Sequence, residues 1–143
     1  MNVKQISVFL ENKSGRLASV TRILAANEIN IRALSIADTA DFGILRIVVD
    51  NPEKASRILK ENGFVATETA VIAVEVPDRP GGLAEVLAFL EKAEINIEYL
   101  YSFVEKPKKD ALIMFRVDNP IKATDILQRN GVVVVESEKV YQL

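Results

Sequence analysis

The chain contains no cysteine, no histidine and no tryptophan. Without cysteine no disulfide can form, so the fold must stand on its core alone. Thiolate catalysis, imidazole acid–base chemistry and Cys/His zinc sites are excluded as well. An excess of one charge is also lacking: 18 basic residues face 20 acidic ones, for a formal net charge of -2. Binding to a nucleic-acid backbone rests on clustered lysine and arginine, so no nucleic-acid partner is expected. No run approaches the roughly 20 apolar residues of a membrane span. Met1-Asn2-Val3-Lys4-Gln5 leads into an alternating pattern, with no apolar stretch of signal-peptide type. The expectation is a cytoplasmic protein with no membrane partner.

What the 143 residues do contain is a repeat. Gly15-Arg16-Leu17-Ala18 matches Gly81-Gly82-Leu83-Ala84, and Glu28-Ile29-Asn30-Ile31 matches Glu94-Ile95-Asn96-Ile97, both at an offset of 66. Between Gly15 and Ile31, 9 of 17 positions are identical across the copies. Val49-Asp50-Asn51-Pro52 then matches Val117-Asp118-Asn119-Pro120, and Asn62-Gly63 matches Asn130-Gly131, at an offset of 68. From Val49 to Gly63, 10 of 15 positions are identical. The second copy therefore carries two extra residues between the blocks, and the polar, turn-like Glu105–Asp110 stretch is their expected place. A module of this size buries only about 60% of its unfolded surface, so two modules gain by packing together.

Each copy reads as strand, helix, strand, strand, helix, strand. Ile6, Val8 and Leu10 alternate along the first strand. A turn at Glu11–Gly15 leads to a helix with Leu17, Val20 and Leu24 inward and Ile23 nearby. Ile31–Ala37 and the β-branched Phe42–Val49 form the next two strands, joined by a turn at Asp38–Asp41. Asn51 is placed to cap a helix that has Pro52 at its first position, turns Ala55, Ile58 and Leu59 inward, and stops at Gly63. Val65–Thr69 is the fourth strand. The second copy gives strands at Val71–Val76, Ile97–Phe103, Ala111–Val117 and Val132–Glu136, and helices at Gly82–Ala93 and Pro120–Asn130. This order is the split βαβ arrangement. It predicts an α+β protein of two tandem ferredoxin-like βαββαβ modules, residues 1–70 and 71–143, with antiparallel sheets and helices on one face. The tail Ser137–Leu143 corresponds by position to the first strand of the second copy and is expected to pair at a sheet edge.

The loop between first strand and first helix carries the most information. It reads Leu10-Glu11-Asn12-Lys13-Ser14-Gly15-Arg16-Leu17 in one copy and Val76-Pro77-Asp78-Arg79-Pro80-Gly81-Gly82-Leu83 in the other. Glycine lets the backbone turn and approach another group closely, and the open N–H groups of a helix start suit a carboxylate. An Asp or Asn beside them can take an ammonium group, so the loop fits a zwitterionic amino acid. Capping and turn formation explain the same residues without a ligand. Asn30 and Asn96, at the helix exits, suit a left-handed turn between helix and strand. In the functional reading their amides reach the ligand that the glycine loop holds.

A strand, then Asp78-Arg79-Pro80-Gly81-Gly82-Leu83, then a helix ending in Ile95-Asn96-Ile97, then two strands, a helix and a strand, resembles the ACT domain, and does so in both copies. The resemblance implies a regulatory module of amino-acid metabolism that binds amino acids between paired modules, with sheets that often join side by side. It implies ligand contacts at Asn12, Ser14, Gly15, Arg16, Leu17, Asn30 and Ile31 in the first copy. In the second it implies Asp78, Pro80, Gly81, Gly82, Leu83, Asn96 and Ile97. Some members have a histidine two positions before the polar loop residue. Leu10 and Val76 stand there in this chain, which favours an apolar ligand side chain.

The other candidates weigh less. Arg16 in a first helical turn reads as solvated, and Lys106, Lys108 and Lys109 read as a soluble hairpin tip. Tyr99, Tyr101 and Phe103 alternate along one strand, on one face, and suit sheet packing against a partner. No nucleophile, base and orienting group converge locally, so no catalytic residue, metal or cofactor is expected. An RNA-binding module of the same element order would display aromatics on its central strands, where Ile44, Leu45, Ile47 and Val48 stand instead, with only Phe42 at the start. The reading is a non-catalytic, homodimeric regulatory protein for a free amino acid or similar small effector. The alternative is a regulatory subunit of a biosynthetic enzyme such as an acetohydroxyacid synthase.

Overall fold

A computed structural model of the chain describes residues 2–11, 13–38, 42–103 and 110–143. Among them the order is β1 (Val3–Glu11), α1 (Arg16–Ala26), β2 (Ile31–Asp38), β3 (Phe42–Val49), α2 (Pro52–Glu61), β4 (Val65–Val76), α3 (Gly82–Lys92), β5 (Ile97–Ser102), β6 (Ala111–Val117), α4 (Pro120–Arg129), β7 (Val134–Val135) and α5 (Ser137–Gln142). The chain divides into two compact units, Lys4–Thr69 and Ala70–Leu143, the latter joined by the amino-terminal residues through Val3. The strands expected at Val65–Thr69 and Val71–Val76 are one uninterrupted 12-residue strand, β4. Nothing in Thr69-Ala70-Val71 forces a turn.

In the first unit the strands run in the order β2-β3-β1-β4. β1 is antiparallel to β3, with Ile6 opposite Ile47 and Glu11 opposite Phe42. β2 is antiparallel to β3 from the Ile31–Val49 pair to the Asp38–Gly43 pair. Alternation puts Ile6, Val8 and Leu10 beside Leu45, Ile47 and Val49, where they pack with Val20 and Leu24 of α1 and Ala55, Ile58 and Leu59 of α2. Both helices therefore lie on one sheet face. The second unit repeats the plan in the order β5-β6-β4-β7. There Ile72, Val74, Phe115 and Val117 pack with Val86 and Leu90 of α3 and Ala123 and Leu127 of α4. Each fully buried aliphatic side chain contributes about 1.5–3 kcal/mol. Exposed ion pairs such as Arg57–Glu61 at 3.9 Å give about 0–1 kcal/mol, so the cores decide stability. The other sheet face is also covered in places: Gln5 and Val48 are buried there in the first unit, and Ala73 and Met114 in the second.

The helix termini repeat between units. Asn51 Oδ1 accepts from the Lys54 N–H at 3.2 Å and Asn119 Oδ1 from the Lys122 N–H at 3.1 Å, each before a first-turn proline. α2 and α4 stop at Gly63 and Gly131, with φ of 83° and 77°. α1 and α3 stop differently. Their left-handed residues are Glu28 and Glu94, both with φ of 57°, and not the expected Asn30 and Asn96. The cause lies one residue later. The Ile29 N–H donates to Leu24 O at 2.9 Å and the Ile95 N–H to Leu90 O at 3.0 Å. This closes the helix and turns each isoleucine into its core. Such closure demands the left-handed conformation at the preceding residue, whatever its type.

The tail also differs from expectation. Ser137–Gln142 is a helix that buries Val140, not an edge strand. A short helix satisfies part of its own backbone, so it needs no sheet edge. β7 is limited to Val134–Val135, preceded by the bond from the Glu75 N–H to Val133 O at 3.0 Å and followed by α5 at Ser137.

Candidate functional site

The two loops after the first strands share one geometry. In the first unit Lys13 N donates to Glu11 O at 2.7 Å, Arg16 N to Lys13 O at 3.3 Å and Ser19 N to Gly15 O at 2.9 Å. In the second, Arg79 N donates to Pro77 O at 3.0 Å, Gly82 N to Arg79 O at 2.9 Å and Glu85 N to Gly81 O at 3.0 Å. Gly15 and Gly81 take the helix-capping position with φ of 87° and 84°, where a side chain would be strained. Among the described residues no side chain caps either helix. Among the described residues, the N–H groups of Leu17 and Ala18, and of Leu83 and Ala84, meet no backbone acceptor. Asp78, Ser14, Pro80 and Gly81 are exposed. Asn12 lies outside the described residues.

The next position separates the units. Gly82 is buried, and a Cβ there would run into the carbonyl oxygen of Pro77. Its glycine is a steric requirement of the turn. The first unit carries Arg16 instead. This side chain is not merely solvated: Arg16 Nη2 pairs with Glu11 Oε1 at 3.1 Å, and the guanidinium sits 5.9 Å from the Phe64 ring centroid. Lys13 also pairs with Glu11, at 3.0 Å. Hydrogen bonds from Lys13 and then Arg16 hold the Glu11 carboxyl below its usual range. In the second unit Arg79 turns to Glu85, at 2.9 and 3.1 Å.

Asn30 and Asn96 are not gathered with these loops. β1 and β2 both run antiparallel to β3, so the residue entering β2 lies at the far end of the sheet from the residue leaving β1. The two ends of β3 are about 23 Å apart at ~3.3 Å per residue. Asn30 is held by Asp50: its N–H donates to Asp50 Oδ1 at 3.0 Å, and the Asp50 N–H donates back to Asn30 O at 3.1 Å. Asn96 and Asp118 repeat the bracket at 3.2 and 3.1 Å. Lys54 Nζ closes the end of α1 on Asn27 O at 2.9 Å, and Lys122 Nζ that of α3 on Ala93 O at 3.1 Å. Sequence reasoning assigned these Asp and Lys residues no role, although all four lie in the second matched block. Among the described residues the Asn30 and Asn96 amides have no hydrogen-bond partner, and both are exposed. Ile31, Ile97 and Leu83 pack partly on their cores, while Leu17 is exposed.

Beside each glycine loop lies an open cleft. In the first unit it holds about 210 Å³ and is lined by Phe9, Leu10, Glu11, Arg16, Phe42, Asn62, Gly63, Phe64 and Val65. Its counterpart holds about 240 Å³, between Glu75, Pro77, Glu85, Val86, Phe89, Asp110, Asn130, Gly131, Val132 and Val133. Of the residues singled out from the sequence as ligand contacts, Arg16 alone lines either cleft. The matched Asn62-Gly63 and Asn130-Gly131 pairs were the available signal. Tyr99 and Tyr101 stack with centroids 6.4 Å apart, and Lys106, Lys108 and Lys109 lie outside the described residues. Among the described residues no group of three acidic, His or Cys side chains could hold a metal, and no helix is long and apolar enough to cross a membrane.

Comparison with known proteins follows the same lines. Among solved structures the chain is similar to protein BT0572 from Bacteroides thetaiotaomicron. The two are 44% identical with a TM-score of 0.94, over 100% of this chain and 98% of that one. It is similar to the ligand-free regulatory subunit of aspartate kinase from Thermus thermophilus at 16% identity and a TM-score of 0.63, over 88% and 90% of the two chains. Against aspartokinase alpha and beta subunits the values are 15% and 0.58, over 98% and 93%. These last two likenesses show the fold. A search of curated proteins returned no match. The family model of the ACT domain pair matches residues 1–143. With two βαββαβ units, each entered through a left-handed glycine, the chain belongs to the ACT domain pair family.

Proposed function

We propose that this protein is a non-catalytic regulator that binds a free amino acid or similar small effector at the glycine-loop end of its modules, residues 1–70 and 71–143. The observation that carries the reading is the duplicated loop. In both units a left-handed glycine opens the first helix and leaves two backbone N–H groups without an acceptor among the described residues, a fit for a carboxylate. Membership of a family of regulatory modules supports it. The ligand contacts then centre on Ser14, Gly15, Arg16 and Leu17 in one module and on Pro80, Gly81 and Leu83 in the other, with Asn12 and Asp78 before the glycines. Asn30 and Asn96 can join such a ligand only from a module other than their own. Leu34 and Ile36, exposed on edge strand β2, support a homodimer joined through sheet edges. Binding would act by favouring one subunit arrangement over another, in the cytoplasm where free amino acids are handled.

The test is thermal unfolding of the purified chain against each of the twenty L-amino acids. A ligand at 100 times its dissociation constant adds about 2.7 kcal/mol, which raises the midpoint by about 5 °C or more at this size. One chemical class is expected to give this shift. If none of the twenty moves the midpoint, the reading fails.

A second reading is a regulatory subunit of a biosynthetic enzyme. It draws on the likeness in fold to the regulatory subunit of aspartate kinase from Thermus thermophilus, over 90% of that chain. Co-purification with a larger catalytic protein would favour it.

A further inference from the structure

The two clefts occupy equivalent places but differ in chemistry. Phe9, Phe42 and Arg16 of the first are replaced by Glu75, Asp110 and Gly82 in the second. Phe64 and Val65 become Val132 and Val133, and Glu11 becomes Pro77. Three of the six phenylalanines in the chain thus line one cleft of about 210 Å³. Phe64 packs partly on the core, but Phe9 and Phe42 do not. Phe9 is 44% exposed, Phe42 55% and Val65 62%, while the core behind them is complete without them. At the rim, the Glu11 carboxylate and the Arg16 guanidinium lie 3.1 Å apart and each is about half exposed. One offers an acceptor for an ammonium group, the other a donor for a carboxylate.

We infer that the first module's cleft is the binding site for an amino acid with a bulky apolar side chain, and that the second module's cleft leaves such a ligand unbound. The inference rests on the amino-acid reading above, restricts it to the first module, and moves the charged contacts from the loop N–H groups to the Glu11–Arg16 rim. Glu11 and Arg16 take the ammonium and carboxylate groups of the zwitterion. The side chain lies against Phe9, Phe42 and Val65 and covers apolar surface that now faces water. In the second cleft Gly82 stands where Arg16 stood, and Glu75 and Asp110 stand in place of Phe9 and Phe42, so both the guanidinium and the aromatic wall are missing.

The test is an amide NMR titration of the full chain with L-phenylalanine and L-leucine, with L-aspartate and L-lysine as controls, repeated on Phe42→Ala and Arg16→Gln. Dispersed spectra establish that each variant is folded. Saturable shifts are expected at Phe42, Phe64 and Val65 with the apolar pair and not with the controls. Each variant should bind at least about tenfold more weakly. Binding that moves resonances elsewhere, or that both variants retain undiminished, overturns the cleft assignment and leaves the amino-acid reading standing. Absence of shifts with all four overturns the cleft assignment, and if none of the twenty amino acids moves the unfolding midpoint either, the amino-acid reading falls with it.

Discussion

After the left-handed glycine that opens each first helix, one module carries Arg16 and the other Gly82. The backbone follows the same path in both, yet the two positions answer to different demands. In the second module the turn folds so close to the end of β4 that no Cβ fits. In the first the turn is slightly looser, with 3.3 Å against 2.9 Å for the matching hydrogen bond. The room admits an arginine, which then pairs with Glu11 and covers Phe64. Duplication has left one copy with the tighter scaffold and the other with a two-signed rim and exposed aromatic rings. A glycine that matches across a repeat is therefore not one feature: Gly15 and Gly81 serve the backbone conformation, while Gly82 serves close packing.

The comparison can be broken most directly at its steric end. Gly82→Ala drives a methyl group into the Pro77 carbonyl and should destabilise the chain by ~2 kcal/mol or more, whereas Arg16→Ala removes a half-exposed ion pair and should cost under ~1 kcal/mol. Urea unfolding midpoints of both variants decide it; equal losses would mean that the turns are not distinguished by packing. A smaller effect sharpens a second contrast, between the helix stops. Glu28 holds a left-handed conformation that Gly63 holds without strain. Glu28→Gly should therefore stabilise by ~0.5–1 kcal/mol, the relief of strain exceeding the added freedom of the unfolded chain. A destabilised variant would show that the Glu28 side chain contributes more than its backbone strain.

Much of the architecture was legible because the local signals agree. Asn51-Pro52 and Gly63 bracket α2, the same signals bracket α4, and the alternation of Ile6, Val8 and Leu10 places the core. The misreadings have physical causes. Glu28 was passed over because propensity assigns the left-handed turn to the nearby Asn30, while the bond from Ile29 to Leu24 dictates the position. Analogy with the first strand of the second copy makes the tail a strand, although Val140 alone is buried in it. The glycine loop and Asn30 were joined in one site because they flank one helix. Yet a strand–helix–strand unit with parallel strands sends its two loops to opposite ends of the sheet, a consequence of the topology already assigned. The cleft was beyond a linear reading, since Phe9, Arg16, Phe42 and Phe64 come from four separate elements.

Isothermal titration of the full chain with the amino acid that stabilises it most tests the central claim most directly, because it counts sites as well as detecting them. The difference between the modules predicts one site per chain, filled by a bulky apolar amino acid. Two equal sites per chain, or no saturable heat with any amino acid, would contradict it.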